Sequence, residues 1–148
     1  MAAIIAKTLL MASLFVMMTT DAAQASQFNI TVTTILASHG KGGVDPRIGG
    51  QIKELQAAFR YASYRLINKT QQRLAVGQTG RAPLPGGRVL AITPQGVAGN
   101  RGQLKLAVFK NGQPTFQTEI RLINRGRIIV GGPQHRQGVI IFIISNSF

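Results

Sequence analysis

The sequence predicts a single α+β domain, in which a mainly antiparallel β-sheet or sandwich packs on one helix. Short runs rich in β-branched residues alternate with Gly- and Pro-containing turns, which is typical of antiparallel strands. Only one segment, near the start of the domain, carries apolar residues at helical spacing. The length of 148 residues and the apolar content of 45% fit one globular domain with a core.

The first 25 residues predict a secretory signal peptide. Lys7 supplies a positive start, residues 8–18 form an apolar run, and Ala23-Gln24-Ala25 is a small-x-small cleavage pattern. We expect cleavage between Ala25 and Ser26, which leaves residues 26–148 as one β-rich domain. The apolar run is shorter than the ~20 residues that span a bilayer. The predicted location is therefore secreted or periplasmic, with no transmembrane segment after signal removal.

The first strand and the helix follow in order. Residues 28–36 are rich in β-branched side chains and predict a strand in which Ile35 interrupts strict alternation. After a glycine-rich loop, Asp45-Pro46 predicts a helix start, because Asp caps free N–H groups and Pro fits the first turn. Ile48, Ile52, Leu55 and Phe59 form one apolar stripe, so we expect a helix over 46–59.

The remainder of the chain predicts strands and turns. Asn111-Gly112 is a strong hairpin signal, because both residues accept positive φ. Loops or turns are expected at 77–87, 96–102 and 131–133, where Gly and Pro are frequent. The expected strands are 61–67, 73–76, 88–93, 103–109, 114–123, 127–130 and 139–145, with 68–70 as a link that would join the first two.

The charge balance is the strongest functional signal. Without Lys7 and Asp21 the domain keeps 16 basic residues, eleven of them Arg, against only three acids, Asp45, Glu54 and Glu119. The planar Arg fork matches phosphate, sulfate and carboxylate groups. We expect a non-catalytic binding or docking protein for an anionic envelope polymer or an acidic protein. Nucleic acid is a weaker choice, because no zinc finger, helix-turn-helix or RNP-like motif is present.

Two groups of residues are the candidates for anion or partner binding. In the Asn-Gly hairpin, alternation puts Lys105 and Arg121 on one solvent face. The remaining candidates near the hairpin ends are Lys110, Arg125 and Arg127, and a second, aromatic and basic strip consists of Arg60, Tyr61, Tyr64 and Arg65. Aromatic and basic side chains together stack on sugars or bases. The alternatives are a generic soluble surface for the first group, and one packed and one exposed tyrosine for the second.

A structural role is the alternative function. Residues 139–144 (VIIFII) would form an edge strand that pairs with a neighbouring molecule in an envelope assembly or filament, since exposed apolar edges tend to pair. Under this alternative, the binding partner would be a neighbouring molecule in the assembly, including another copy of the same protein.

An enzyme is not expected. The chain has no cysteine, hence no disulfide and no thiol nucleophile. His39 and His135 are the only histidines, and with Asp45 they match no known triad or metal-ligand spacing. We predict no catalytic residue, no metal site and no cofactor.

Four segments of the sequence resemble those of a known group of proteins. VTTILAS, FRYASYRLI, LPGGRVLAITPQG and IRLINRGRIIVGGPQHRQGVIIFIIS together resemble uncharacterised small secreted or periplasmic proteins of Gram-negative bacteria of the deltaproteobacterial and myxobacterial type. The resemblance covers about residues 30–145. It implies secretion and a single β-rich domain. That group has no known activity, so it supplies no catalytic or binding residue.

Overall fold

Alternating apolar side chains assemble eight strands into two four-stranded antiparallel sheets. The computed structural model describes residues 26–148, so the predicted signal peptide and Ala25 lie outside the described residues, and Ser26 is exposed before the first strand. Sheet A has the order β2-β1-β8-β7, and sheet B the order β3-β4-β5-β6. The strands are β1 (Gln27–Ser38), β2 (Ser63–Ala75), β3 (Gly80–Leu84), β4 (Arg88–Ala98), β5 (Arg101–Lys110), β6 (Gln113–Ile123), β7 (Arg127–His135) and β8 (Gly138–Ser147). The predicted antiparallel sandwich with one helix is confirmed.

The core between the sheets comes from the alternate positions of their strands. On β1, Phe28, Ile30 and Val32 point inward, and on β8 Ile140, Phe142 and Ile144 do the same. Sheet B contributes a matching apolar face, made by Leu90, Ile92, Leu104, Leu106, Val108 and Ile120. Full burial of one large apolar side chain stabilises a fold by about 1.5–3 kcal/mol.

The predicted helix is present but is divided in two. A 3-10 helix (Pro46–Gln51) leads into α1 (Ile52–Ala58). Asp45 caps it as predicted, because its Oδ1 accepts the backbone N–H of Arg47 at 3.0 Å. Gly49 has a φ of 65°, a left-handed conformation that favours glycine and interrupts the helix.

The helical segment covers part of the outer face of sheet A. Ile48 and Leu55 pack there with Ile35, Ile141 and Ile143 in a second buried cluster. This cluster explains why Ile35 departs from the apolar alternation of β1, since the strand is buried on both faces beneath the helix. Beyond the helical segment, Thr31, Lys69 and Ser145 are among the polar residues on this outer face.

Three predicted turns are wrong in extent. Residues 77–87 contain β3, whose Ala82 and Leu84 point into the core while Pro83 is exposed. Residues 131–133 lie inside β7, where the pairing with β8 shifts register between Gly131 and Gln134. Residues 96–102 belong mostly to β4 and β5. The chain reversals are confined to short turns, such as those at Gly86-Gly87 and at Gly99, and the other Gly and Pro residues lie in an edge strand or at irregular pairing.

The apolar strand that would offer an edge to a neighbouring molecule is not an edge. β8 lies between β1 and β7, so both of its sides are already paired.

At the edge formed by β2 and β3, side chains close the gap between the sheets. Asn68 donates to the carbonyl of Pro83 at 2.8 Å, and Gln72 donates to the carbonyl of Arg81 at 2.7 Å. Across residues 26–148, no helix is long and apolar enough to cross a membrane.

Candidate functional site

The outer face of sheet B carries the first pair of predicted residues. Lys105 lies opposite Glu119, and Arg121 lies opposite Gln103, two positions along the same face. Because side chains alternate along a strand, Lys105 and Arg121 share this outer face. Gln95 also approaches Glu119, with its amide nitrogen 3.4 Å from the carboxylate.

A shallow groove of about 240 Å³ runs over this face and is called the sheet B groove below. Arg81, Ala91 and Ala107 are opposite one another on β3, β4 and β5, and Thr93 is opposite Lys105 on the next row. The two alanines point outward yet are only 7% and 5% exposed. Small side chains therefore form the floor, with the cations of β3 and β5 beside it.

A second group of cations lies at the end of the sandwich, around His135, and is called the hairpin-end cluster (Arg88, Lys110, His135 and Arg136). Arg88 is opposite Lys110, and its Nη1 donates to the carbonyl of Gln134 at 2.8 Å. Burial lowers the pKa of His135, and the positive charges of Arg88, Arg136 and Lys110 lower it further. Arg136 follows His135 in the chain, and the hydrogen bond of Arg88 to Gln134 fixes that guanidinium beside the residue that precedes His135.

The turn between β3 and β4 leaves room for this imidazole. Gly86 has a φ of 78°, and a Cβ at that position would lie 3.2 Å from the ring of His135. The sheet B groove and the hairpin-end cluster are connected along β5, because Phe109 lines the groove and the next residue, Lys110, belongs to the cluster.

The other two residues predicted near the hairpin ends are separated. Arg125 is exposed in the turn between β6 and β7, with a φ of 61°. Arg127 begins β7 and lies on the outer face of sheet A, where its guanidinium is hydrogen-bonded to Glu54 of α1. Arg127 therefore does not share a face with Lys105 and Arg121, because β6 and β7 belong to different sheets.

The aromatic and basic strip divides between core and surface. Tyr64 is 1% exposed, and its hydroxyl donates to the carbonyl of Phe59 at 2.8 Å, so its ring is not available for stacking on a ligand. Tyr61 is half-buried and packs on His39, with ring centroids 4.7 Å apart. Arg60 and Arg65 are exposed. This is the arrangement of one packed and one more accessible tyrosine.

Sequence reasoning missed a cleft on the outer face of sheet A, called the sheet A cleft below. Its volume is about 520 Å³. Its lining includes three cations, Arg47, Lys69 and Arg127, and three hydroxyl side chains, Thr31, Thr33 and Ser145. The polar outer positions of β1 were the available signal, but only the strand register brings Lys69 and Ser145 to either side of them.

The acids of the described domain are largely occupied. Asp45 accepts two guanidinium nitrogens of Arg47, at 3.0 and 2.7 Å, and the backbone N–H of Leu66 at 3.2 Å. The Arg47 guanidinium holds the pKa of that carboxyl well below its usual range. Among residues 26–148, the only two ion pairs are Asp45–Arg47 and Glu54–Arg127.

The two histidines and Asp45 do not form a site together. His39 packs on Tyr61, His135 lies among cations, and Asp45 is bound to Arg47. In the part of the chain that the structure describes, no group of three or more His, Cys, Asp or Glu residues is placed to hold a metal ion.

No family of known proteins, curated protein or solved structure matches this chain.

Proposed function

We propose that this chain is a secreted or periplasmic, non-catalytic binding protein that docks an anionic envelope polymer along the outer face of sheet B. An acidic protein is the other partner of matching charge. The observation that carries the proposal is the sheet B groove, a floor of small side chains beside Arg81 and Lys105. The hairpin-end cluster follows it along β5, and its cations form no ion pair with any residue of 26–148.

Charge supports this choice of partner. The described domain has 16 basic residues against three acids, and two of those acids are held by Arg47 and Arg127 on the opposite side of the sandwich. Glu119 is the single carboxylate on the outer face of sheet B within residues 26–148. Such an excess of one sign raises the local concentration of polyanions and speeds their association.

Shape supports an extended ligand. Ala91 and Ala107 keep the middle of the face low, while Arg81 and Lys105 reach out from neighbouring strands. A linear polymer would lie over the alanines and place its acidic groups against these cations and Arg121. It would reach the hairpin-end cluster beyond Phe109.

The test is retention on heparin, used as a linear sulfated probe, across a salt series. A triple variant, Arg81→Gln, Lys105→Gln and Arg121→Gln, removes the two cations that line the sheet B groove and a third on the same face. We expect its binding constant to fall less steeply with salt than that of the wild type, because each lost ionic contact releases about one counterion fewer.

A matched variant controls for net charge. Lys41→Gln, Lys53→Gln and Arg73→Gln also remove three exposed positive charges, but none of these residues lies on sheet B or joins an ion pair with a described residue. The control should keep most of the wild-type salt slope. Equal loss in both triple variants would mean that only overall charge matters, and the proposed groove would be abandoned.

A further inference from the structure

We propose that the sheet A cleft is a second and separate site, which binds a sugar bearing one carboxylate, such as a uronic acid residue. The inference does not depend on the docking of polymer on sheet B, because the two surfaces lie on opposite faces of the sandwich.

The lining supplies cations but no acid. Arg47, Lys69 and Arg127 line the cleft, whereas Asp45 and Glu54, which bind the two arginines, are outside its lining. Each carboxylate thus binds one arginine of the lining without lining the cleft itself. Within residues 26–148, no hydrogen bond uses Nη1 of either arginine, so both keep donors for a ligand.

The charge count favours a ligand with a single negative charge. Three cations and two carboxylates leave one positive charge in excess, and it belongs to Lys69, which forms no ion pair with any described residue. A monocarboxylate neutralises that charge, whereas a phosphate dianion would leave an uncompensated negative charge at the site.

The remaining lining suits a sugar ring. Thr31, Thr33 and Ser145 offer hydroxyl groups, each of which both donates and accepts, as sugar hydroxyls require. Ile48, Leu66 and Ile143 add apolar surface for the C–H face of the ring. The volume of about 520 Å³ lies within the range of small-molecule sites.

The experiment is a titration of the 26–148 protein, isotope-labelled for NMR, with galacturonate, a monosaccharide that bears one carboxylate. Galactose, neutral and of the same ring shape, and inorganic sulfate, acidic without a ring, are the comparison probes. We expect galacturonate to shift the amide signals of Thr33, Lys69 and Ser145, with little change from galactose or sulfate at the same concentration. Equal binding of galactose, or shifts confined to β3–β5, would overturn the proposal.

Two single variants test whether the positive charge of Lys69 binds the ligand in the sheet A cleft. Lys69→Gln should weaken galacturonate binding about tenfold or more, because it removes a charged hydrogen-bond donor. Lys53→Gln, on α1 and outside the lining, should leave the affinity within about twofold of wild type. Equal effects of the two variants would show that the cleft is not the site, whatever the heparin result on sheet B. Because both lysines are exposed, both variants should fold, and their amide spectra report this directly.

Discussion

Replacement of Asn146 by leucine should stabilise the protein. Asn146 is 4% exposed on the inner face of β8, and neither Oδ1 nor Nδ2 has a hydrogen-bond partner among residues 26–148. Its amide lies near Gly102, where the rings of Phe28 and Phe148 also converge. A polar amide is thus enclosed among apolar groups at the position where β8 would otherwise continue its apolar alternation.

The magnitude follows from the two unpaired atoms. Each buried, unpaired polar group costs about 1–3 kcal/mol, so the amide of Asn146 costs about 2–6 kcal/mol. Leucine has the same branching, but its two methyl groups are larger, and crowding against the neighbouring rings costs about 1–3 kcal/mol. We expect a net gain of about 1–3 kcal/mol in the free energy of unfolding, at about 3–6 °C of Tm per kcal/mol for a domain of this size.

Urea and thermal unfolding of Asn146→Leu measure this gain, and Asn124→Leu is the matched control. The side chain of Asn124 is fully engaged, since Nδ2 donates to the carbonyl of Phe148 at 2.7 Å and Oδ1 accepts its N–H at 3.0 Å. Its loss should cost about 1–2 kcal/mol. The two variants should therefore shift stability in opposite directions. A loss in Asn146→Leu as large as that in Asn124→Leu would refute the reasoning.

Two predictions concern titratable groups. Because Arg47 lowers the pKa of Asp45 in the folded protein, the stabilisation by this carboxylate should be complete above its unfolded pKa of about 4 and disappear as the pH falls toward the folded value. Urea unfolding should show Asp45→Asn less stable than wild type at pH 7, with the difference shrinking at pH 3; a constant difference would contradict the assignment. The pKa of His135 is lowered by burial and by nearby cations, so Arg88→Gln should raise it toward its ordinary value. An NMR titration that compares His135 with His39 measures this pKa. If the pKa of His135 does not rise in Arg88→Gln, Arg88 does not belong to the cluster.

Local signals predicted much of the fold. Asp45-Pro46 marked the start of the helix, and Asn111-Gly112 marked the β5–β6 turn, where both residues have positive φ. These features depend on a few adjacent residues, whose conformational preferences act at short range. The break at Gly49 and the strand β3 escaped prediction, because Gly and Pro indicate a loop wherever their neighbours in space are unknown.

The candidate sites were harder to predict, because distant strands compose them. Lys105 and Arg121 were found through the alternation of one hairpin. Arg127 was assigned to that hairpin because of its place in the chain, yet it lies on the other sheet beside Glu54. Lys69 joins the sheet A cleft only through the register of β2 with β1, which depends on a bulge between Thr34 and Ile35 that no local sequence signal specifies.

The position of β1 between β2 and β8 has a consequence for how the protein folds. Most paired strands are neighbours in the sequence, but the first strand must pair with the last, whose residues are at least 100 positions away. Sheet A therefore cannot be completed until β8 has been synthesised. Pairing between strands so far apart in the sequence slows folding to a scale of milliseconds to seconds. Shortened chains that lack β8 would leave β1 with an open, apolar edge, so we expect them to aggregate rather than fold.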